Sequence, residues 1–195
     1  ARQIGGVEIE DHDALEALTV LVDSFNRDAQ LHEAGAHSVQ GRLLRSLVNR
    51  LRMLRDFAAH PEIREQSVRE PIFVAGYLRT GSTKLVRMLA ASGDFNDLPL
   101  WKALNPSSIT GIPGEDPGAR IADAEQFLHD LYTGSPGAAA IHEQGALLTE
   151  EESYIFVQDL RCAGYLSYAN LPSYLQWLAG QDLQGAANNF GTIRP

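Results

Sequence analysis

The chain has 195 residues, 44% hydrophobic and 21% charged, and a formal net charge of −9. That suffices for one domain with a small helical annex, and the acidic balance argues against non-specific nucleic-acid binding, although backbone dipoles can still build a local anion site. Cys162 is the single cysteine, so an intrachain disulfide and a Cys-rich zinc site are excluded. No apolar run approaches the ~20 residues of a membrane span, and the first residues lack the pattern of a signal peptide, so a cytoplasmic location is expected.

In chain order, residues 13–58 read as helical. Leu15, Leu18, Val22 and Phe25 recur at helical spacing, as do Leu44, Leu47, Leu51 and Leu54. The second run carries Arg42, Arg45, Arg50, Arg52 and Arg55, which read as a solvated face whose stems cover apolar surface. "HPEI" at 60–63 ends the region. Pro71 then opens an apolar run over 72–75, the pattern of a strand covered on both faces. Leu85, Met88 and Leu89 mark one face of a helix ending near Gly93.

Further on, "NPSSITGIPGEDPG" at 105–118 is a loop by composition. Helix is expected over about 119–132, a break at "TGSPG", and helix again over 149–161, with "YIFV" at 154–157 inside it rather than forming a strand. Pro172 can start a short helix that Gly180 stops. Tyr154, Tyr165, Tyr168, Tyr174 and Trp177 read first as core, with an apolar acceptor pocket as the alternative. The division implied is a helical annex at 1–69, the N-terminal part of a domain at 70–183, and an irregular tail at 184–195.

The chemistry concentrates between the candidate strand and the next helix. Gly76 and Gly81 bracket four residues, as in a phosphate-binding loop, but "GST" stands where an ATPase has "GK[ST]". Such a loop works because successive N–H groups and a helix N-terminus point at one anion. Ser82 and Thr83 add hydroxyl donors; the nearest cations are Arg79 at the loop tip and Lys84. Without the lysine that manages β- and γ-phosphates, the loop suits a donor carrying one phosphate and one sulfate, used without a metal. An arginine can then fork onto the oxygen joining the two groups. That is the logic of 3'-phosphoadenosine 5'-phosphosulfate, PAPS.

"PIFVAGYLRTGSTKLVRMLA" at 71–90 is similar to the 5'-phosphosulfate segment of PAPS-dependent sulfotransferases, with Arg79, Thr80, Gly81 and Thr83 matching and Leu78 and Ser82 departing. The wider chain resembles a bacterial branch common in actinobacteria, through "GRLLRSLVNRLRMLRDFAAHPEI", "LPLWKALNP", "IHEQGALLTEEES" and "LPSYLQWL". The resemblance runs from about residue 10 to 183. Lys102 stands where that branch often has a glutamate, Thr149 where it has proline and Glu152 where it has cysteine. Relatives continue past this point into strands that carry the 3'-phosphate clamp, so the chain is expected to be truncated. Arg161 and Ser167 are not assigned that role.

The resemblance implies an α/β, P-loop sulfotransferase-like core with parallel strand or strands, incomplete and mostly helical here. It implies sulfuryl transfer from PAPS to a hydroxyl of a small-molecule, lipid or glycan acceptor. Gly76, Arg79, Thr80, Gly81, Ser82, Thr83 and Lys84 would bind the donor, and Arg79 would also stabilise the leaving oxygen. A base must take the hydroxyl proton. His142 suits by its ordinary pKa and Glu150 or Glu151 by the family segment; the expected catalytic set is Arg79, His142 and Glu151. A non-catalytic, truncated nucleotide-binding remnant and a divergent P-loop NTPase or kinase are the alternatives.

Overall fold

The computed structural model describes residues 3–4, 7–8, 12–66, 70, 72–77 and 80–181. Pro71, Leu78, Arg79 and the 184–195 tail of the sequence reading lie outside them. Packing divides the described residues into two compact units, one drawn from those up to 66 together with 155–181, the other from 70–154. Residues 155–181 thus group with the N-terminal helices.

The first unit opens with a two-residue antiparallel pair, β1 (Gln3–Ile4) and β2 (Val7–Glu8). Two long helices follow, α1 (His12–Arg27) and α2 (Glu33–Ala59). His32 caps α2, its Nδ1 accepting from the Gly35 N–H at 3.0 Å and so satisfying one of the first-turn donors. A 3₁₀ turn at Pro61–Glu65 ends the run, as the "HPEI" break predicts.

The buried stripes are rotated from those expected. On α1 they run through Ala14, Ala17, Leu21 and Phe25, leaving Val22 exposed; on α2 through Val39, Leu43, Leu51 and Met53, leaving Leu44 exposed. The leucine spacing omits the alanines, yet Ala14 and Ala17 mark the side of α1 that is buried, and α1 packs on α8 (Pro172–Leu178). Polar residues also lie inside because they have partners. Ser24 donates to Asp28 at 2.6 Å and accepts the Tyr174 N–H at 3.2 Å.

Arg50 departs from the solvated arginine face. It is 4% exposed, its Nη1 lies 3.6 Å from Asp159, and Arg161 meets the same carboxylate at 3.2 Å. A carboxylate withdrawn from water needs such donors.

"YIFV" is helical, as read: α7 (Ser153–Phe156) runs into a 3₁₀ turn at Val157–Asp159. The expected helix over 149–161 is otherwise corrected, because Thr149 forms an antiparallel bridge with Pro99 and the Glu150 N–H donates to Leu98 O at 2.8 Å. Leu160 then takes a left-handed conformation, φ 67°, which costs a side-chain-bearing residue about 1–2 kcal/mol. Its carbonyl accepts from the Tyr174 hydroxyl at 2.7 Å, and that hydroxyl also accepts the Cys162 N–H at 2.9 Å. Tyr165 and Tyr174 are buried in this core, so the packing reading of these aromatics holds. Burial pushes both phenols above their ordinary range and raises the Cys162 thiol.

The second unit contains α3 (Ser82–Ala91), α4 (Leu100–Leu104), α5 (Gly118–Gly134) and α6 (Ala138–Ile141). Its core is Leu100, Leu104, Ala124, Leu128 and Ala146, with Trp101, Phe127 and Tyr154 packed against it. The 105–118 loop is ordered by Glu115, which accepts the Ile109 N–H at 3.0 Å, the Thr110 N–H at 2.7 Å and the Thr110 hydroxyl. These donors hold its carboxyl at about 2, below the usual 4.5.

The expected parallel strand is not found among the described residues. Residues 72–77 pair with no other strand, Phe73 is 73% exposed and Tyr77 90%. An apolar run signals a need for cover on both faces, and among the described residues this one has neither that cover nor ladder partners. No described helix is long and apolar enough to cross a membrane.

Two outcomes are expected. Tyr174→Phe strands the Leu160 carbonyl and the Cys162 N–H, and urea unfolding should show a loss of about 1–3 kcal/mol. Because the Glu115 carboxyl is lowered in the folded chain, its contribution is complete above its ordinary value near 4.5 and declines as pH falls toward 2. Hydrogen exchange at the Ile109 and Thr110 amides should accelerate relative to intrinsic rates across that window, and the step should vanish in Glu115→Ala.

Candidate functional site

α3 begins directly after the glycine loop. Gly81 is its N-cap with φ 94° and ψ 14°, a left-handed conformation that glycine adopts without strain. The turn before it is closed by the Thr80 hydroxyl, which donates to the Tyr77 carbonyl at 2.6 Å. Gly76 sits against the same hydroxyl; a Cβ added there would lie 3.1 Å from Thr80 Oγ1. Both glycines are therefore used, one for its dihedrals and one for its missing side chain.

The first intrahelical bond of α3 runs from the Leu85 N–H to Gly81 O at 3.1 Å. The N–H groups of Ser82, Thr83 and Lys84 precede it and have no intrahelical acceptor, as at any helix start. Among the described residues no side chain caps them. Ser82 and Thr83 are half-buried and Lys84 is exposed, so hydroxyls and free amides share this end of the helix. The positive end of the helix dipole adds to the pull on an anion. Arg79 lies outside the described residues.

A second cluster is tied to the same helix. Arg87 follows Ser82 by five positions, roughly 7.5 Å along the axis at 1.5 Å per residue. Its guanidinium reaches the 143–150 segment at three points: Nη2 donates to Glu143 O at 2.8 Å and to Glu150 Oε1 at 3.1 Å, and Nε donates to Thr149 O at 3.3 Å. Glu150 Oε2 faces His142 Nε2 at 2.9 Å. The Glu150 side chain is 0% exposed and His142 31%.

The backbone explains the placement. His142 ends α6, its N–H donating to Ala138 O at 2.9 Å. The chain then runs beside 98–101: Trp101 N donates to Ala146 O at 3.1 Å, Leu100 N to Leu148 O at 2.9 Å and Glu150 N to Leu98 O at 2.8 Å. Tyr132 adds a further tie, its hydroxyl accepting the Gln144 N–H at 3.0 Å. Thr149 donates to Asp97 Oδ2 at 2.8 Å. Glu150 is thereby carried inward while Glu151 and Glu152 stay exposed.

The structure thus gathers Gly76, Thr80, Gly81, Ser82, Thr83 and Lys84 around one turn, and joins His142 to Glu150 rather than to Glu151. Arg87 carries no mark in the sequence, because its partners lie 56–63 residues away. Arg161 and Ser167 are engaged elsewhere. Arg161 pairs with Asp159 and with Asp13 at 3.3 Å, and Ser167 donates to Gly164 O at 2.7 Å.

Among solved structures, the chain is similar to the sulfotransferase STF1 of Mycobacterium tuberculosis, with 30% identity and a TM-score of 0.76 over 92% of this chain and 49% of that one. The chain spans about half the length of that protein. No family model matches the chain, and no curated protein does. The fold is that of a sulfotransferase, mostly helical over the described residues. The chain is thus similar to a sulfotransferase over nearly all of its own length.

Gly81→Ala forces an L-residue into the left-handed region and is expected to destabilise the start of α3 by about 1–2 kcal/mol. Thermal or urea unfolding measures the loss, and hydrogen exchange at Ser82–Leu85 should place it.

Proposed function

We propose that the protein transfers a sulfuryl group from PAPS to a hydroxyl acceptor, with this chain supplying the 5'-phosphate cradle and the base. The likeness to a sulfotransferase over 92% of the chain carries the reading. The local geometry supports it: a left-handed Gly81 opens α3, Gly76 leaves room a Cβ would fill, and no side chain of the described residues caps the first-turn amides.

In this reading the N–H groups of Ser82, Thr83 and Lys84 and the hydroxyls of Ser82 and Thr83 receive the 5'-phosphate. Arg79 meets the oxygen bridging phosphorus and sulfur. The acceptor oxygen attacks sulfur in line, a new S–O bond forms, and the bridging S–O bond breaks. Negative charge then grows on the departing adenosine 3',5'-bisphosphate, where the Arg79 guanidinium stabilises it. His142 takes the acceptor proton. Glu151, exposed and without a hydrogen bond among the described residues, is the less favoured base. Lys84 lies beside the cradle as a further donor to the phosphate.

The donor side also separates this reading from an NTPase. Ser82 stands where ATP chemistry requires lysine, and Lys84 is on the outer side of the first turn. Isothermal titration with PAPS, adenosine 3',5'-bisphosphate and Mg–ATP tests it. The two adenosine 3'-phosphates should bind at least ~10-fold more tightly than Mg–ATP, a difference of about 1.4 kcal/mol. Arg79→Ala should weaken PAPS more than the bisphosphate, since only PAPS places the bridging oxygen. Magnesium-dependent preference for ATP would overturn the proposal. Bisphosphate binding without sulfuryl transfer would reduce it to a binding module.

A further inference from the structure

A histidine can offer either ring nitrogen as a base, and the one it offers is set by what holds the other. Around His142 that choice is legible. Glu150 Oε1 accepts from Arg87 Nη2 at 3.1 Å, and Oε2 faces His142 Nε2 at 2.9 Å. An ionised carboxylate only accepts hydrogen bonds, so the ring nitrogen facing it must carry the proton. Nδ1 has no hydrogen-bond partner among the described residues, and the side chain is 31% exposed.

We infer that Glu150 is a positioning residue that holds His142 in the Nε2–H form, leaving Nδ1 as the nitrogen that receives the acceptor proton. The inference rests on the reading of His142 as the base. Arg87 completes the device. It fixes one carboxylate oxygen, so the other is committed to His142, and it does so from α3, whose first turn forms the proposed donor cradle. Arg87 also grips Glu143 O and Thr149 O, near the two ends of the segment between His142 and Glu150. Base and cradle are thereby referenced to one helix. During transfer the acceptor O–H bond breaks, its proton passes to Nδ1, and the imidazolium that forms is stabilised by the Glu150 carboxylate through Nε2–H.

The arrangement gives Glu150→Gln an opposite consequence to simple loss. Arg87 still demands an acceptor, so the amide oxygen turns toward it and the amide NH₂ turns toward Nε2. Nε2 must then accept, and the ring switches to Nδ1–H. Long-range ¹H–¹⁵N spectra of the full chain labelled with ¹⁵N-histidine read this directly. The six histidines are resolved by the signal that disappears in His142→Gln.

The native chain should show His142 as Nε2–H over Nδ1–H by at least tenfold, the preference that one hydrogen bond to a charged acceptor supplies. Glu150→Gln should reverse the preference. A native Nδ1–H form, an even mixture, or a ratio unmoved by Glu150→Gln would overturn the inference. If that variant does not fold, the native spectrum still decides whether His142 is Nε2–H, Nδ1–H or an even mixture, and either of the last two overturns the inference. The spectra need no nucleotide, so they are independent of the titrations. The predicted tautomer without bisphosphate binding would remove the sulfotransferase reading and keep the positioning role. Binding with the opposite tautomer would do the reverse.

Discussion

A carboxylate with no exposure to water sits between a helix and a loop in the 70–154 unit, and its surroundings answer to it. Glu150 must be met by donors, because an ionised group buried without them costs about 3–5 kcal/mol when one partner is lost. Arg87 supplies one, and His142 Nε2 stands 2.9 Å from the second oxygen. The constraint fixes where α3 lies relative to the 142–150 segment, and hence where the proposed base stands relative to the proposed cradle. It also orders the segment itself, since the Glu150 N–H is spent on Leu98 and the Arg87 guanidinium on two backbone carbonyls.

The unit formed with the N-terminal helices repeats the principle without the exposed histidine. Asp159 is buried beside Arg50 and Arg161, and the left-handed Leu160 next to it is held through its carbonyl by Tyr174. The charged groups there are turned on one another, and burial pushes the phenols up in pKa. That cluster is built to hold a fold. The Glu150 cluster differs in leaving one ring nitrogen of a partly exposed histidine without a partner among the described residues. That nitrogen is what sets the Glu150 cluster apart from the Asp159 cluster.

The apolar face of the loop region adds a separate point. Phe73, Tyr77, Leu85 and Met88 are exposed, and no residue of α3 is fully buried. The helix that carries the proposed cradle is thus held in place among the described residues chiefly by polar grips such as that of Arg87, rather than by a core of its own.

Local features are legible in the residues alone. Glycines at 76 and 81 with hydroxyls at 80, 82 and 83 announced a turn into a helix, because dihedral freedom and hydroxyl donors act within a few residues. Long apolar periods announced α1, α2 and α5, and Pro172 announced α8. Which residues of α1 and α2 face inward was not legible, since a period of leucines does not count the alanines of the side packed against other elements. Tertiary structure alone decided that Glu150 rather than Glu151 meets His142. Neighbouring glutamates are equivalent in a string of letters, and only the pairing of Thr149 with Pro99 sends one inward and the other to solvent. Arg87 was silent for the same reason: its role lies in contacts 56–63 residues away, and no local pattern encodes a distance that the fold has yet to close.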